Sequence, residues 1–243
     1  MDPVLTLAAG FAAGAVNTAV GSGSLVSFPL LMAGGLSPVH ANIANTVGLV
    51  PGSLLGAYAY RAEVPRGGHR SFVPLAVAGG LAGACLLTRL PAAVFEAAVP
   101  VIVLVASVLV LTQRQVAGAL DRALSPRSRR VGGRAGVLAT SVYGGYFSAA
   151  QGVLFTAVLG LVDDAGAQAT NARKNLLQAL VNTAAASVFV VSAHVSWAPV
   201  ALVAAGGLAG APVGAAAGRR LSARALRTLV ALVGLATVVR LVV

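Results

Sequence analysis

Charge is scarce in this chain: 9% of its 243 residues are Asp, Glu, Lys or Arg, and only 6 are acidic. A soluble domain of this length cannot cover its surface with so few charges, which excludes an ordinary water-soluble fold. No paired carboxylates stand inside an apolar run. Asp163-Asp164 reads as loop, and Glu96 falls near a helix start, where an acid is favourable anyway. The lone Cys85 cannot form an internal disulfide and reads as a small core residue. The three histidines, His40, His69 and His194, lie apart and next to loops, without metal-ligand spacing. No phosphate-binding glycine loop is present, so direct use of ATP is not expected. Together these absences leave no residues for enzymatic chemistry, no metal site and no cofactor. The N-terminus lacks the basic region and cleavage site of a signal peptide, so its apolar run is expected to be retained.

What is present is hydrophobic residue, 58% of the chain, with a mean hydropathy of +0.89. The apolar runs reach the roughly 20 residues that a membrane-spanning helix needs. The net charge of +11 does not indicate nucleic-acid binding, because the arginines cluster in short loops, as the positive-inside rule describes. Five apolar segments are expected in a first half, at 3–20, 23–36, 38–60, 71–88 and 92–112. After the Arg-rich stretch 113–134 the plan returns at 135–149, 152–162, 168–193, 198–217 and 223–243. The heptapeptide Ala78-Gly79-Gly80-Leu81-Ala82-Gly83-Ala84 recurs as Ala205-Gly206-Gly207-Leu208-Ala209-Gly210-Ala211, a shift of 127 (205 against 78). A shift of 129 places Ser22-Gly23 on Gln151-Gly152. The expected domain plan is therefore 1–112 as a first membrane repeat, 113–134 as a basic cytoplasmic linker and 135–243 as a second membrane repeat, all one integral membrane domain.

The second segment of each half is too short to span comfortably as a helix, and each follows a Gly-containing break. A broken or re-entrant hairpin is predicted, tolerated at membrane depth only where protein or a wet cavity surrounds it. Arg61, Arg66 and Arg70 put the loop at 61–70 inside, and Arg219, Arg220 and Arg224 do the same for 218–224. The loop equivalent to 61–70, His194 to Trp197, has no Lys or Arg and falls outside. Equivalent loops then face opposite sides, so the predicted fold is an all-α polytopic membrane protein of two inverted repeats, each of about five apolar segments.

Two polar stripes mark a candidate site. Asn171, Lys174, Asn175, Gln178 and Asn182 share one helical face. The equivalent positions are Asn42, Asn45, Thr46, Leu49 and Ser53. Polar groups in lipid are costly unless they face one another or water. Lys174, the only lysine beside sixteen arginines, supplies a charge for an anion, whereas Arg173 points elsewhere and is expected to snorkel to the interface. The breaks add Ser22, Gly23 and Ser24 in the first half, and Ser148, Gln151 and Gly152 in the second. Asn17 lies one turn before the first break. Helices that begin inside a membrane present backbone N–H groups to an anion. These fourteen residues, Asn17, Ser22, Gly23, Ser24, Asn42, Asn45, Thr46, Ser148, Gln151, Gly152, Asn171, Lys174, Asn175 and Gln178, form the candidate substrate site. The competing account is that the amides only bond helices together.

The ordered set Gly21-Ser22-Gly23-Ser24-Leu25-Val26-Ser27-Phe28-Pro29, Ala41 to Gly52, Tyr60-Arg61-Ala62-Glu63, Ala150-Gln151-Gly152-Val153, Asn171 to Asn175 and Trp197 resembles the sulfite exporter TauE/SafE family of bacterial membrane permeases. The resemblance implies a permease for a small sulfur-containing anion or organosulfonate, or a carboxylate, in the bacterial cytoplasmic (inner) membrane. The expected mechanism is alternating access between the repeats. The partners would be that anion and the lipid bilayer, with a coupling proton or ion and homo-oligomerisation left open, and no nucleic acid. The alternatives are a non-transporting membrane subunit or assembly factor, in which the stripes are helix glue, and an anion channel.

Overall fold

A computed structural model describes residues 1–65, 70–123, 126–162 and 166–220. Among these residues the chain forms nine α-helices and one 3₁₀ turn. They are α1 (Pro3–Ala19), α2 (Ser24–Ala33), α3 (Pro38–Ala59), α4 (Val73–Arg89), α5 (Ala92–Ala123), α6 (Pro126–Tyr146), α7 (Gln151–Val162), α8 (Ala167–Ser192) and α9 (Trp197–Arg220), with the 3₁₀ turn at Arg61–Glu63. Local signals explain several starts. Asp2 accepts hydrogen bonds from the Val4 and Leu5 amides, and proline fills an early position of α1, α3 and α4. The expected segment at 223–243, together with Arg66, His69, Asp163, Asp164 and Arg224, lies outside the described residues.

Among the described residues three helices are long and apolar enough to cross a membrane: Ala92–Thr112 within α5, α8 and α9. The 10 residues of α2 and 12 of α7 make rods of about 15 and 18 Å, about half a hydrocarbon core. The short second segments are thus real, and each folds back after a tight break. The stretch 113–134, expected as a linker, is helical on both sides of residues 124–125. There α5 runs on to Ala123 and α6 begins at Pro126. Ala, Leu, Gln and Arg are strong helix formers, so losing the apolar pattern at residue 113 ends the apolar part of the helix without ending the helix.

The repeated heptapeptide proves to be a packing device. On α4, Gly79 and Gly83 lie against the backbone of α6 at Leu138 and Val142, while Gly80 lies against Val181 of α8. On α9, Gly206 and Gly210 lie against α1 at Leu7 and Phe11, while Gly207 meets Gly52 of α3. A Cβ at most of these positions would strike a neighbour's backbone, so the glycines set the close approach of the helices. Each half's fourth helix thus packs on the first helix of the other half. Along α1, Gly10, Gly14 and Ala19 meet Val203, Gly207 and Gly218 in that order, so α1 and α9 run parallel.

The third helices, α3 and α8, cross antiparallel. His40 near the start of α3 stands beside His194 just after α8, with ring centroids 6.1 Å apart. Tyr60 at the end of α3 clusters with Ala172 near the start of α8, and between these ends Asn182 donates to Ser53 at 3.1 Å. The histidines read as scattered in the sequence are therefore partly gathered, because antiparallel helices bring the start of one to the end of the other. Trp197 opens α9 at 59% exposure. Arg219 near the end of α9 ties the end of α3 by donating to Glu63 at 2.8 Å and to the Ala59 carbonyl at 2.7 Å.

Candidate functional site

Both breaks use a left-handed residue. Gly21 has φ +91° and Ala150 has φ +55°, and the shift of 129 that aligns the halves superimposes them (150 against 21). Glycine takes this conformation freely, whereas alanine is strained there by about 1–2 kcal/mol. Surrounding contacts hold the second break. The Tyr143 hydroxyl donates to the Ala149 carbonyl at 2.8 Å, and Phe147 packs edge-on against Phe28 at 5.1 Å.

The two breaks touch. The Gly152 amide donates to the Gly21 carbonyl at 2.9 Å, and a Cβ on Gly21 would sit 2.5 Å from the Gly152 Cα and 3.0 Å from the Lys174 Cδ. No side chain larger than hydrogen fits either position. Around this contact the predicted polar residues form three linked groups.

At the end of α1, the α8 stripe satisfies carbonyls that the helix itself leaves unpaired. Lys174 is fully buried, and its Nζ donates to the carbonyls of Asn17 at 2.9 Å and Thr18 at 3.1 Å. The Asn175 amide also donates to Thr18, at 3.1 Å, and Gln178 donates to the Asn17 side chain at 2.5 Å. The same Asn17 oxygen receives the Gly23 amide at 3.4 Å.

The second group repeats this pattern at the end of α6. Asn42 of α3 donates to the Tyr146 carbonyl at 2.9 Å, while Asn45 and Thr46 each donate to the Ser148 hydroxyl at 3.2 Å. With both lone pairs of Ser148 engaged, its own proton points to Ser24, 3.2 Å away. Ser27 closes the group by donating to Asn45. Asn45 and Lys174 are equivalent under the shift of 129 (174 against 45), and each grips the break that follows the other half's first helix.

In the third group, between them, Gln151 donates to Asn182 at 2.6 Å and Asn182 donates to Ser53. The Ser22 hydroxyl and the side-chain carbonyls of Gln151 and Gln178 are buried without a hydrogen-bond partner.

Thirteen of the fourteen predicted residues are buried in this layer; Asn171, half-buried, lies at its edge near Tyr60. The Gly23 and Gly152 amides, expected as free donors, are engaged by Asn17 and Gly21. Arg173, expected at the membrane interface, is only 4% exposed. The reason is the position of α8, which packs on α3, α4, α6 and α7 and so has protein beyond its polar stripe. Thr18 and Ser27 were missed in the sequence, although Thr18 lies in the last turn of α1 before the first break and Ser27 follows it by one turn of α2. The carbonyl acceptors at the helix ends have no side-chain signature.

The sequence model of the family described as Sulfite exporter TauE/SafE matches residues 6–241. The chain belongs to that family. The TauE/SafE family is one of membrane transporters and not of enzymes, so this is a multi-pass membrane protein with a transport role. A relative, the "Probable membrane transporter protein YfcA" of Escherichia coli strain K12, is 25% identical over 208 residues, covering 83% of this chain and 75% of the relative. The proteins of that name from Escherichia coli O6:H1 and O157:H7 match to the same extent. No solved structure matches the chain significantly. Within this TauE/SafE protein the polar layer is the feature in need of a function.

Proposed function

We propose that this protein is a permease of the bacterial cytoplasmic membrane that moves a small anion, of the sulfur-containing or organosulfonate class, by alternating access between two inverted repeats. The observation that carries the proposal is the contact between Gly21 and Gly152 at the centre of a polar layer built from matched positions of both halves. Layers of this kind, made by broken helices at a repeat interface, are where secondary transporters hold substrate. The antiparallel crossing of α3 and α8 supports inversion, since equivalent helices of inverted repeats run in opposite directions.

Energetics are compatible with opening. Interhelical hydrogen bonds in membranes contribute about 0.6–2 kcal/mol each. The two direct hydrogen bonds between the hairpins, Gly152 to Gly21 and Ser24 to Ser148, therefore contribute only a few kcal/mol. An anion bound with micromolar affinity supplies about 8 kcal/mol, enough to replace them. Lys174 and the amide and hydroxyl groups of Asn17, Ser22, Ser24, Asn45, Thr46, Ser148, Gln151, Asn175 and Gln178 are the donors assigned to that anion.

The test is flux into proteoliposomes over a panel of sulfite, thiosulfate, sulfoacetate, isethionate and acetate. Saturable uptake of at least one sulfur-containing anion, competed by the unlabelled anion, is expected. Uptake of none of them would leave the protein a non-transporting membrane subunit, and non-saturating conductance would make it a channel.

A further inference from the structure

Among its named residues the polar layer has one ionisable group, that of Lys174, and no carboxylate. Lys174 has 0% exposure, and no Asp or Glu stands among the buried polar residues around it. Titratable groups on the neighbouring elements are engaged elsewhere: Tyr60 of α3 donates to the Ala215 carbonyl, Tyr143 of α6 donates to the Ala149 carbonyl, and Glu63 of the 3₁₀ turn accepts from Arg219. An ammonium in such a place is costly unless an anion or a full set of acceptors surrounds it. Lys174 has two acceptors, the carbonyls of Asn17 and Thr18. A neutral amine has two N–H bonds and is satisfied by two carbonyls; an ammonium has three and leaves one over.

We propose that Lys174 carries a coupling proton, bound together with the substrate anion and released together with it. This inference rests on the transport function proposed above and assigns the coupling ion to one atom. In the empty site Nζ is an amine whose two N–H bonds hold the end of α1. A proton from the water on the entry side joins the Nζ lone pair and creates the third N–H. That N–H faces the anion at the first break, where Gly21 lies against the Lys174 side chain. The ammonium and a monovalent anion then cross as a neutral pair. On the exit side the anion leaves to water and the proton follows it, which restores the amine. One proton moves with each monovalent anion, and the site is never charged and empty. Asn45, the equivalent residue in the other half, cannot carry a proton, so the device is asymmetric between the halves.

Lys174 is the only lysine of the chain, so protein labelled with ¹⁵N at lysine Nζ gives a single side-chain nitrogen signal. Magic-angle-spinning NMR of the unmodified protein in liposomes at neutral pH is expected to show an amine without substrate. Adding an anion that the flux panel moves, with isethionate preferred because it carries no proton of its own, is expected to convert the signal to an ammonium. An ammonium that is present without any anion, or an amine that persists with a transported anion bound, overturns the assignment even when flux is normal. Absence of flux for the whole panel removes the transport function itself, and this assignment with it. In proteoliposomes Lys174→Arg keeps a permanent charge, so accumulation driven by a pH gradient is expected to fall at least tenfold relative to the variant's own anion exchange. Accumulation at the native level in Lys174→Arg, or proton-coupled uptake in Lys174→Gln, would sink the proposal.

Discussion

At the scale of single residues, the centre of the molecule is set by what is missing from two of them. Gly21 and Gly152 lie so close that the Cβ of an alanine at either would overlap the other's backbone. Gly21→Ala would add left-handed strain to that overlap, since its φ is +91°. Gly152→Ala is expected to cost about 1–3 kcal/mol, within the range of overpacking. The contrast is Gly160, also on α7, where an added Cβ would meet nothing within 4 Å and helix propensity favours alanine. Thermal unfolding in detergent checks the pair. A lower midpoint for Gly152→Ala and an unchanged or higher one for Gly160→Ala is expected; equal midpoints would mean that the breaks separate freely and do not define a packed centre.

At the scale of elements, helix ends are finished by side chains from elsewhere in the chain. The last carbonyls of α1 are taken by α8, and that of Tyr146, closing α6, is taken by α3. This exchange depends on α3 and α8 crossing antiparallel, which predicts a neighbour relation far apart in sequence. In a Cys85→Ala background, His40→Cys with His194→Cys is expected to react with a short bifunctional thiol reagent and lose maleimide labelling, because the native rings are 6.1 Å apart. His40→Cys paired with Ala172→Cys serves as the control, since Ala172 belongs with Tyr60 at the other end of α3. Crosslinking of the control in preference to the histidine pair would reverse the relative direction of the helices.

At the scale of the whole molecule, inversion sets which surface each loop meets. If the repeats are inverted, Val195 faces away from the cytoplasm while Arg61 and Arg220 face it, in line with the positive-inside rule. Trp197→Cys, at a position 59% exposed, is expected in whole cells to react with a membrane-impermeant maleimide, and Ala62→Cys to react only after the cells are opened. Cytoplasmic labelling of position 197 would require repeats related by an axis along the membrane normal.

Much of this was legible in the sequence because it is local. The 3.6-residue recurrence of Asn171, Lys174, Asn175, Gln178 and Asn182 placed them on one helical face, and run length separated the short α2 and α7 from spanning helices. Burying so much apolar surface with so few charges left only a membrane as solvent. What the tertiary structure alone decided is who satisfies whom. Lys174 grips backbone carbonyls of Asn17 and Thr18, and carbonyls look alike in every sequence. The heptapeptides became packing faces only once α4 met α6 and α9 met α1, because a glycine's value lies in the backbone that approaches it. Arg173 is buried because α8 is enclosed by neighbours, and enclosure belongs to the assembly of helices rather than to the pattern within one.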